Sequence, residues 1–120
     1  MKHNLVIKLI FKIILLLLEV EEVIKCLRRR WQVTYDLQLV VRSERLYLQI
    51  MWAYLEQRSF PLDEDQFIAH LFEIIEVVNR IGLSDEVRNW LETTSKKPRL
   101  GRAVSLHLDA DQTLLQEFVL

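Results

Sequence analysis

Tyr35-Asp36-Leu37-Gln38-Leu39-Val40-Val41 and Leu46-Tyr47-Leu48-Gln49-Ile50-Met51-Trp52, joined by Arg42-Ser43-Glu44-Arg45, decide how this chain folds. Both stretches alternate in polarity and are rich in the β-branched and aromatic residues that suit a pleated, half-buried surface. They read as a β-hairpin. Side chains on a strand point to opposite faces in turn, so Tyr35, Leu37, Leu39 and Val41 share one face, as do Leu46, Leu48, Ile50 and Trp52. That shared face is expected to be core. The other face of the second stretch, with Tyr47, Met51 and Ala53, leaves open which hairpin edge a third strand would join.

Helical spacing flanks the hairpin. Before it, Val20, Val23, Ile24, Leu27 and Trp31 recur every three or four residues, and the segment ends in Arg28-Arg29-Arg30, cations that suit a helix C-terminus. After it, Pro61-Leu62-Asp63-Glu64-Asp65-Gln66-Phe67 announces a helix. Asp63 caps the free amides, Gln66 completes a capping box, and Leu62 is placed to pack on Phe67 as a hydrophobic staple. That helix buries Phe67, Leu71, Ile74, Ile75 and Val78 and stops at Gly82, which accepts a left-handed cap. Ser84-Asp85-Glu86 then reads as the cap of a shorter helix carrying Val87, Trp90 and Leu91. The alternation of Val104, Leu106 and Leu108 marks a third strand. The expected fold is α+β: a small antiparallel sheet, hairpin plus C-terminal strand, packed against about three helices. One such domain spans residues 20–109, with an apolar extension over 1–19 and a short helical tail over 110–120.

The extension invites a membrane reading, because Leu5-Val6-Ile7 and Leu9-Ile10-Phe11 lead into Ile13-Ile14-Leu15-Leu16-Leu17-Leu18. Lys8 and Lys12 interrupt it, and the apolar run after Lys12 falls far short of the roughly 20 residues a spanning helix needs. A secretory signal would end in small residues, whereas this run meets Glu19, Glu21 and Glu22. The expectation is one helix from about Leu5 to Trp31, with Lys8, Lys12, Glu19 and Glu22 as a polar stripe. Its greasy surface over residues 5–18 calls for cover from the domain, a second copy, a partner or a lipid interface, unless the natural start lies further downstream.

Composition narrows the chemistry. The chain has 120 residues, 51% of them apolar, which suffices for one core. Sixteen Lys and Arg face seventeen Asp and Glu, so no global field draws it to nucleic acid or an anionic surface. The single cysteine, Cys26, closes no internal disulfide and fits a reducing compartment. Arginines one turn on from Cys26 can lower a thiol pKa, but a lone cysteine on an apolar face reads first as buried core. His70 and His107 come from different elements, with no cysteine or carboxylate at ligand spacing, and read as surface or hydrogen-bonded side chains. The Asp63-Glu64-Asp65 trio reads as helix capping rather than a cation site. Nucleophile elbows, phosphate loops and zinc-protease motifs do not occur. No catalytic residue, metal or cofactor is expected.

Two candidate sites remain. The first is the segment Lys96-Lys97-Pro98-Arg99-Leu100-Gly101-Arg102, in which Lys96, Lys97, Arg99 and Arg102 stand with no acid on a proline-stiffened bend, suited to an anion or an acidic partner. The second is a pocket where the hairpin meets the helices, lined by Tyr35, Asp36, Trp52 and Tyr54. Trp31, Tyr35, Trp52, Tyr54 and Trp90 can be imagined as a stacking platform for single-stranded nucleic acid, but they read as core or half-buried sheet residues.

Tyr35-Asp36-Leu37-Gln38, then Leu48-Gln49-Ile50-Met51-Trp52-Ala53-Tyr54-Leu55-Glu56-Gln57 with Ser59-Phe60-Pro61-Leu62, and finally Lys97-Pro98-Arg99-Leu100-Gly101-Arg102-Ala103-Val104-Ser105 together resemble a family of small uncharacterised proteins of cyanobacteria and plastids, catalogued as a domain of unknown function. The resemblance runs from about Val20 to Asp109. It implies a compact α+β fold and a cytosolic or stromal setting in a photosynthetic lineage, and supplies no activity. Members of that family usually carry lysine where Ala53 stands and glycine where Gln32 stands. The leading functional expectation is a non-catalytic binding or accessory module, for a photosynthetic or plastid-type complex, that meets a protein partner through the basic loop and the adjoining sheet. The alternatives are a small enzyme or ligand-binding protein using the pocket, and a peripheral membrane protein using the N-terminal helix.

Overall fold

Ser43 and Glu44, with φ of 50° and 65°, close the hairpin between β1 (Tyr35–Arg42) and β2 (Arg45–Tyr54). Positive φ at both central residues is the type I′ turn that matches the twist of paired strands. The computed structural model describes residues 2–110; the expected C-terminal helix lies outside the described residues. β3 (Val104–Leu108) pairs antiparallel with β2, giving the sheet order β1-β2-β3. The third strand therefore joins the hairpin at its β2 edge.

α2 (Val20–Trp31), α3 (Glu64–Arg80) and α4 (Ser84–Thr93) cover one face of this sheet. Leu37, Leu48, Ile50 and Leu108 from the strands meet Leu27, Phe67, Leu71, Val78 and Leu91 from the helices, all at most 2% exposed. The α+β arrangement is as expected. Asp63 accepts from the Gln66 amide at 2.8 Å, and the Gln66 side chain accepts from the Asp63 amide at 3.0 Å, completing the capping box. The ring seated on Phe67 is Phe60, edge-on at 5.6 Å. Gly82 takes φ 78° after α3.

Several expectations are corrected. The N-terminal region is two helices, α1 (Lys2–Leu16) and α2, because the chain is pulled out of helical geometry around Leu18. Asn79 of α3 grips both sides of that residue: Leu18 N–H donates to its Oδ1 at 2.8 Å, and its Nδ2 donates to the Leu18 carbonyl at 2.9 Å. Arg88 of α4 donates to the carbonyls of Leu16 and Leu17, the open end of α1. Ser84 does not cap α4; it is buried in the first turn and donates to Asn79 Oδ1 at 2.6 Å. Trp52, expected in the core, is 38% exposed, because a register shift between Tyr35/Tyr54 and Leu37/Ile50 lets β2 bulge where Trp52 stands. Val41 also leaves the core, at the hairpin's open tip.

Candidate functional site

Arg99 and Arg102 exchange two backbone hydrogen bonds, of 3.0 and 2.8 Å, and so form a one-rung hairpin across Leu100-Gly101. Gly101, at φ 75°, supplies the left-handed third position that a type II turn demands. Residues opposed in this way carry their side chains on the same side of the ribbon. The turn thus presents two guanidinium groups as a pair. Pro98 is buried and fixes the loop to the domain, while Lys96, Lys97, Arg99 and Arg102 are exposed.

The β1–β2 hairpin repeats the device. Arg42 and Arg45 stand directly opposite each other across the Ser43-Glu44 turn. Both turns frame the outer sheet face, the one the helices leave open. On it, Gln38, Gln49 and Ser105 form one cross-strand row and Val40, Tyr47 and His107 the next. Gln49 Nε2 donates to Ser105 Oγ at 3.0 Å, and the Tyr47 and His107 rings lie 5.3 Å apart. A cavity of about 530 Å³ lies over this face, lined by Arg42, Gln49, Trp52, Arg99, Arg102 and Ser105 among others, with Asp36 at its edge. Two further concavities meet it at Ser105: one reaches Arg45 and Tyr47, the other Lys96 and Lys97.

The two candidate sites therefore touch. Arg99 and Arg102 share one cavity with Asp36 and Trp52. Tyr35 and Tyr54 lie elsewhere: Tyr35 is buried, edge-on to Trp31 at 6.0 Å and to Tyr54 at 6.2 Å, and burial pushes its hydroxyl pKa up, with Tyr54 adding to the shift. Trp52 meets Tyr54 edge-on at 6.4 Å, so the aromatic residues form an interlocked chain with one exposed end rather than a flat stacking platform. The three sequence stretches that carry the family resemblance, around Asp36, Trp52 and Arg99–Arg102, converge on this one cavity.

The cations differ sharply in their engagement. Arg28 donates to Thr34 Oγ1 at 2.9 Å and lies 3.8 Å from Glu56. Arg29 pairs with Glu92. Arg30 donates to the carbonyls of Leu91 and Thr94, closing the end of α4, and its guanidinium sits 4.5 Å from the centre of the Trp31 ring. By contrast, among the described residues no ion pair engages Arg42, Arg45, Lys96, Lys97, Arg99 or Arg102.

Asp36 is 8% exposed. Gln38 Nε2 donates to its Oδ2 at 2.8 Å, while Oδ1 lies 3.1 Å from His70 Nε2 without a well-directed hydrogen bond. That ring nitrogen also sits 2.8 Å from the Leu37 carbonyl. Two acceptors against one nitrogen call for a proton on Nε2, which donates to the Leu37 carbonyl. The contact ties α3 to the edge strand, and His70 is not among the side chains lining the cavity. Local spacing could not show it, because 34 positions separate Asp36 from His70. Cys26 is buried, and burial followed by the neighbouring Glu92 pushes its thiol up to about 11, so it is not an activated nucleophile. Among the described residues no three His, Cys, Asp or Glu side chains come together to hold a metal.

A family model described as Domain of unknown function (DUF3067) matches residues 21–119. The solution NMR structure of the Alr2454 protein from Nostoc sp. strain PCC 7120 is similar, with 32% identity and a TM-score of 0.74, over 86% of this chain and 98% of that one. No curated protein matches.

Proposed function

The chain belongs to the DUF3067 family, a domain of unknown function, and we propose that it is a non-catalytic binding module whose outer sheet face grips an acidic segment of a protein partner. One observation carries this reading. Two arginine pairs, Arg42/Arg45 and Arg99/Arg102, are each held in direct cross-strand opposition; Arg42, Arg99 and Arg102 line one cavity, Arg45 lines the concavity that meets it, and among the described residues no carboxylate is paired with any of the four. Like charges placed directly opposite one another destabilise a strand pair. A carboxylate seated between two guanidinium forks offsets that cost, because it accepts parallel hydrogen bonds from each. The turns hold the arginines before the partner arrives, so less side-chain freedom is lost on binding. Lys96 and Lys97 extend the positive surface and would speed encounter more than they deepen affinity. The setting we propose, the reducing interior of a photosynthetic cell, rests on the lone cysteine and on the Nostoc origin of the similar structure.

Titration with a glutamate-rich peptide tests the reading, with emission of Trp52, which borders the cavity and is 38% exposed, as reporter. Arg99→Glu combined with Arg102→Glu should weaken binding by about tenfold or more. Arg99→Lys with Arg102→Lys should fall between, because the charge stays and the fork is lost. Equal affinity for all three proteins would refute it. A second reading, a small anionic ligand in the same cavity, is favoured by a volume of about 530 Å³, within the span of roughly 300–1,000 Å³ usual for ligand pockets. Inorganic phosphate that displaces the peptide and binds at comparable strength would support this second reading over the first.

A further inference from the structure

α1 has the opposite character from the cationic face. Leu5, Val6, Ile7, Leu9, Ile10 and Phe11 are between 49% and 70% exposed. At about 100° per residue, these side chains together with Ile14 and Leu16 sweep roughly two-thirds of the helix circumference. Lys8 and Lys12, one turn apart, occupy part of the remaining sector, and no acidic residue occurs before Glu19. Among the described residues no ion pair engages either lysine.

The join to the domain is built rather than loose. Leu18 is 3% exposed in the core, Asn79 holds its amide and carbonyl, and Arg88 closes the C-terminal carbonyls of α1 while pairing with Glu22 at 2.5 Å. The domain therefore fixes the base of this helix and leaves its flanks in water.

We propose that α1 is an interfacial anchor that lies in the surface of a bilayer containing anionic lipid. The width of the apolar arc favours this occupant over a second copy: one helix–helix contact buries a stripe about 100° wide, which would leave more than half of this arc in water. A helix sunk to its lysines at a lipid surface covers the whole arc and places both ammonium groups among the headgroups. At 15 residues α1 is about 22 Å long, short of the roughly 30 Å hydrocarbon core. Among the described residues no helix is long and apolar enough to cross. Negative lipid complements Lys8 and Lys12. This inference stands apart from the proposed acidic partner, since it uses none of the sheet-face cations.

Flotation of the full chain tests it, with vesicles of phosphatidylcholine alone or mixed with phosphatidylglycerol. The chain should float with the mixed vesicles and more weakly with phosphatidylcholine. Ile10→Asp with Phe11→Asp should reduce partition by at least ~tenfold, and Lys8→Glu with Lys12→Glu should remove the preference for phosphatidylglycerol. All these side chains are exposed, so thermal melting should not change, and Arg99→Glu with Arg102→Glu should float as the parent does. No flotation, flotation indifferent to the α1 substitutions, or flotation lost with the loop arginines would overturn the anchor. A solution dimer that Ile10→Asp with Phe11→Asp dissolves, without vesicle binding, would assign α1 to a second copy instead.

Discussion

Arginine serves two opposite purposes in this chain, and the difference is visible side chain by side chain. Arg28, Arg29 and Arg30 are spent on the fold: on Thr34 and Glu56, on Glu92, and on the last carbonyls of α4. Glu56 shows how much rests on one such cluster. Thr34, fully buried, donates its backbone amide to Glu56 at 2.6 Å and its hydroxyl at 2.8 Å, which fastens the start of β1 to the segment beyond β2. Burial alone would raise the Glu56 carboxyl, but the Thr34 hydrogen bonds and the Arg28 charge outweigh it and hold the group below its ordinary 4.5. A folded value below the unfolded one adds stability that is fully present above the ordinary value and is lost as pH falls through the depressed one. Acid titration followed by circular dichroism should therefore show a shallower loss of stability for Glu56→Gln than for the parent, and the variant should be less stable by about 1 kcal/mol at neutral pH. Gln32 offers a gain instead. It caps α2 at φ 63°, where a side chain is strained, so Gln32→Gly should raise stability by about 0.5–1 kcal/mol in thermal melts.

At the scale of elements, the hairpin turn makes a similar point. Ser43 and Glu44 both hold positive φ, which Asn-Gly adopts far more readily. Ser43→Asn with Glu44→Gly should stabilise the chain by about 1 kcal/mol in denaturant titration while leaving the Arg42/Arg45 opposition intact. What could be read from the sequence follows this local grammar. The alternation of the strands, the Asp63/Gln66 box and the Gly82 stop are patterns within a few residues, and each element forms as its pattern says. Two of the departures have distant causes, and that of Trp52 lies in strand pairing. The polar stripe of Lys8, Lys12, Glu19 and Glu22 runs through the break near Leu18 without a sign, because Asn79 and Arg88, far along the chain, make the break. Ser84 looks like a cap until Asn79 claims its hydroxyl. Trp52 has core parity and loses it to a bulge that no spacing announces. The basic loop was legible from charge alone, but its partner at Arg42/Arg45 was not. The clue was the repeated arrangement of two arginines around a two-residue turn, Arg42-Ser43-Glu44-Arg45 and Arg99-Leu100-Gly101-Arg102. Only the choice of sheet edge by β3 brings the two turns to one cavity.

The whole molecule divides its labour by surface. Helices seal one face of a three-stranded sheet, and the sealed face holds the core. The open face carries the arginine pairs, with Gln49 and Ser105 hydrogen-bonded on its floor. α1 extends from the Asn79–Leu18 joint as an apolar rod. If the anchor and the grip both operate, the chain would hold an acidic partner segment near a lipid surface, each contact weakened by a different change of medium: salt for the arginines, removal of lipid for α1. The grip of the outer sheet face on an acidic segment can be followed residue by residue in an amide-resolved NMR titration of the full chain with a glutamate-rich peptide. Salt-sensitive shifts are expected only in the two turns and the outer row, at Arg42, Arg45, Gln49, Arg99, Arg102 and Ser105, with their loss in the Arg99→Glu, Arg102→Glu protein. Shifts clustered instead on Arg28–Arg30, or no shifts even at low salt, would contradict it.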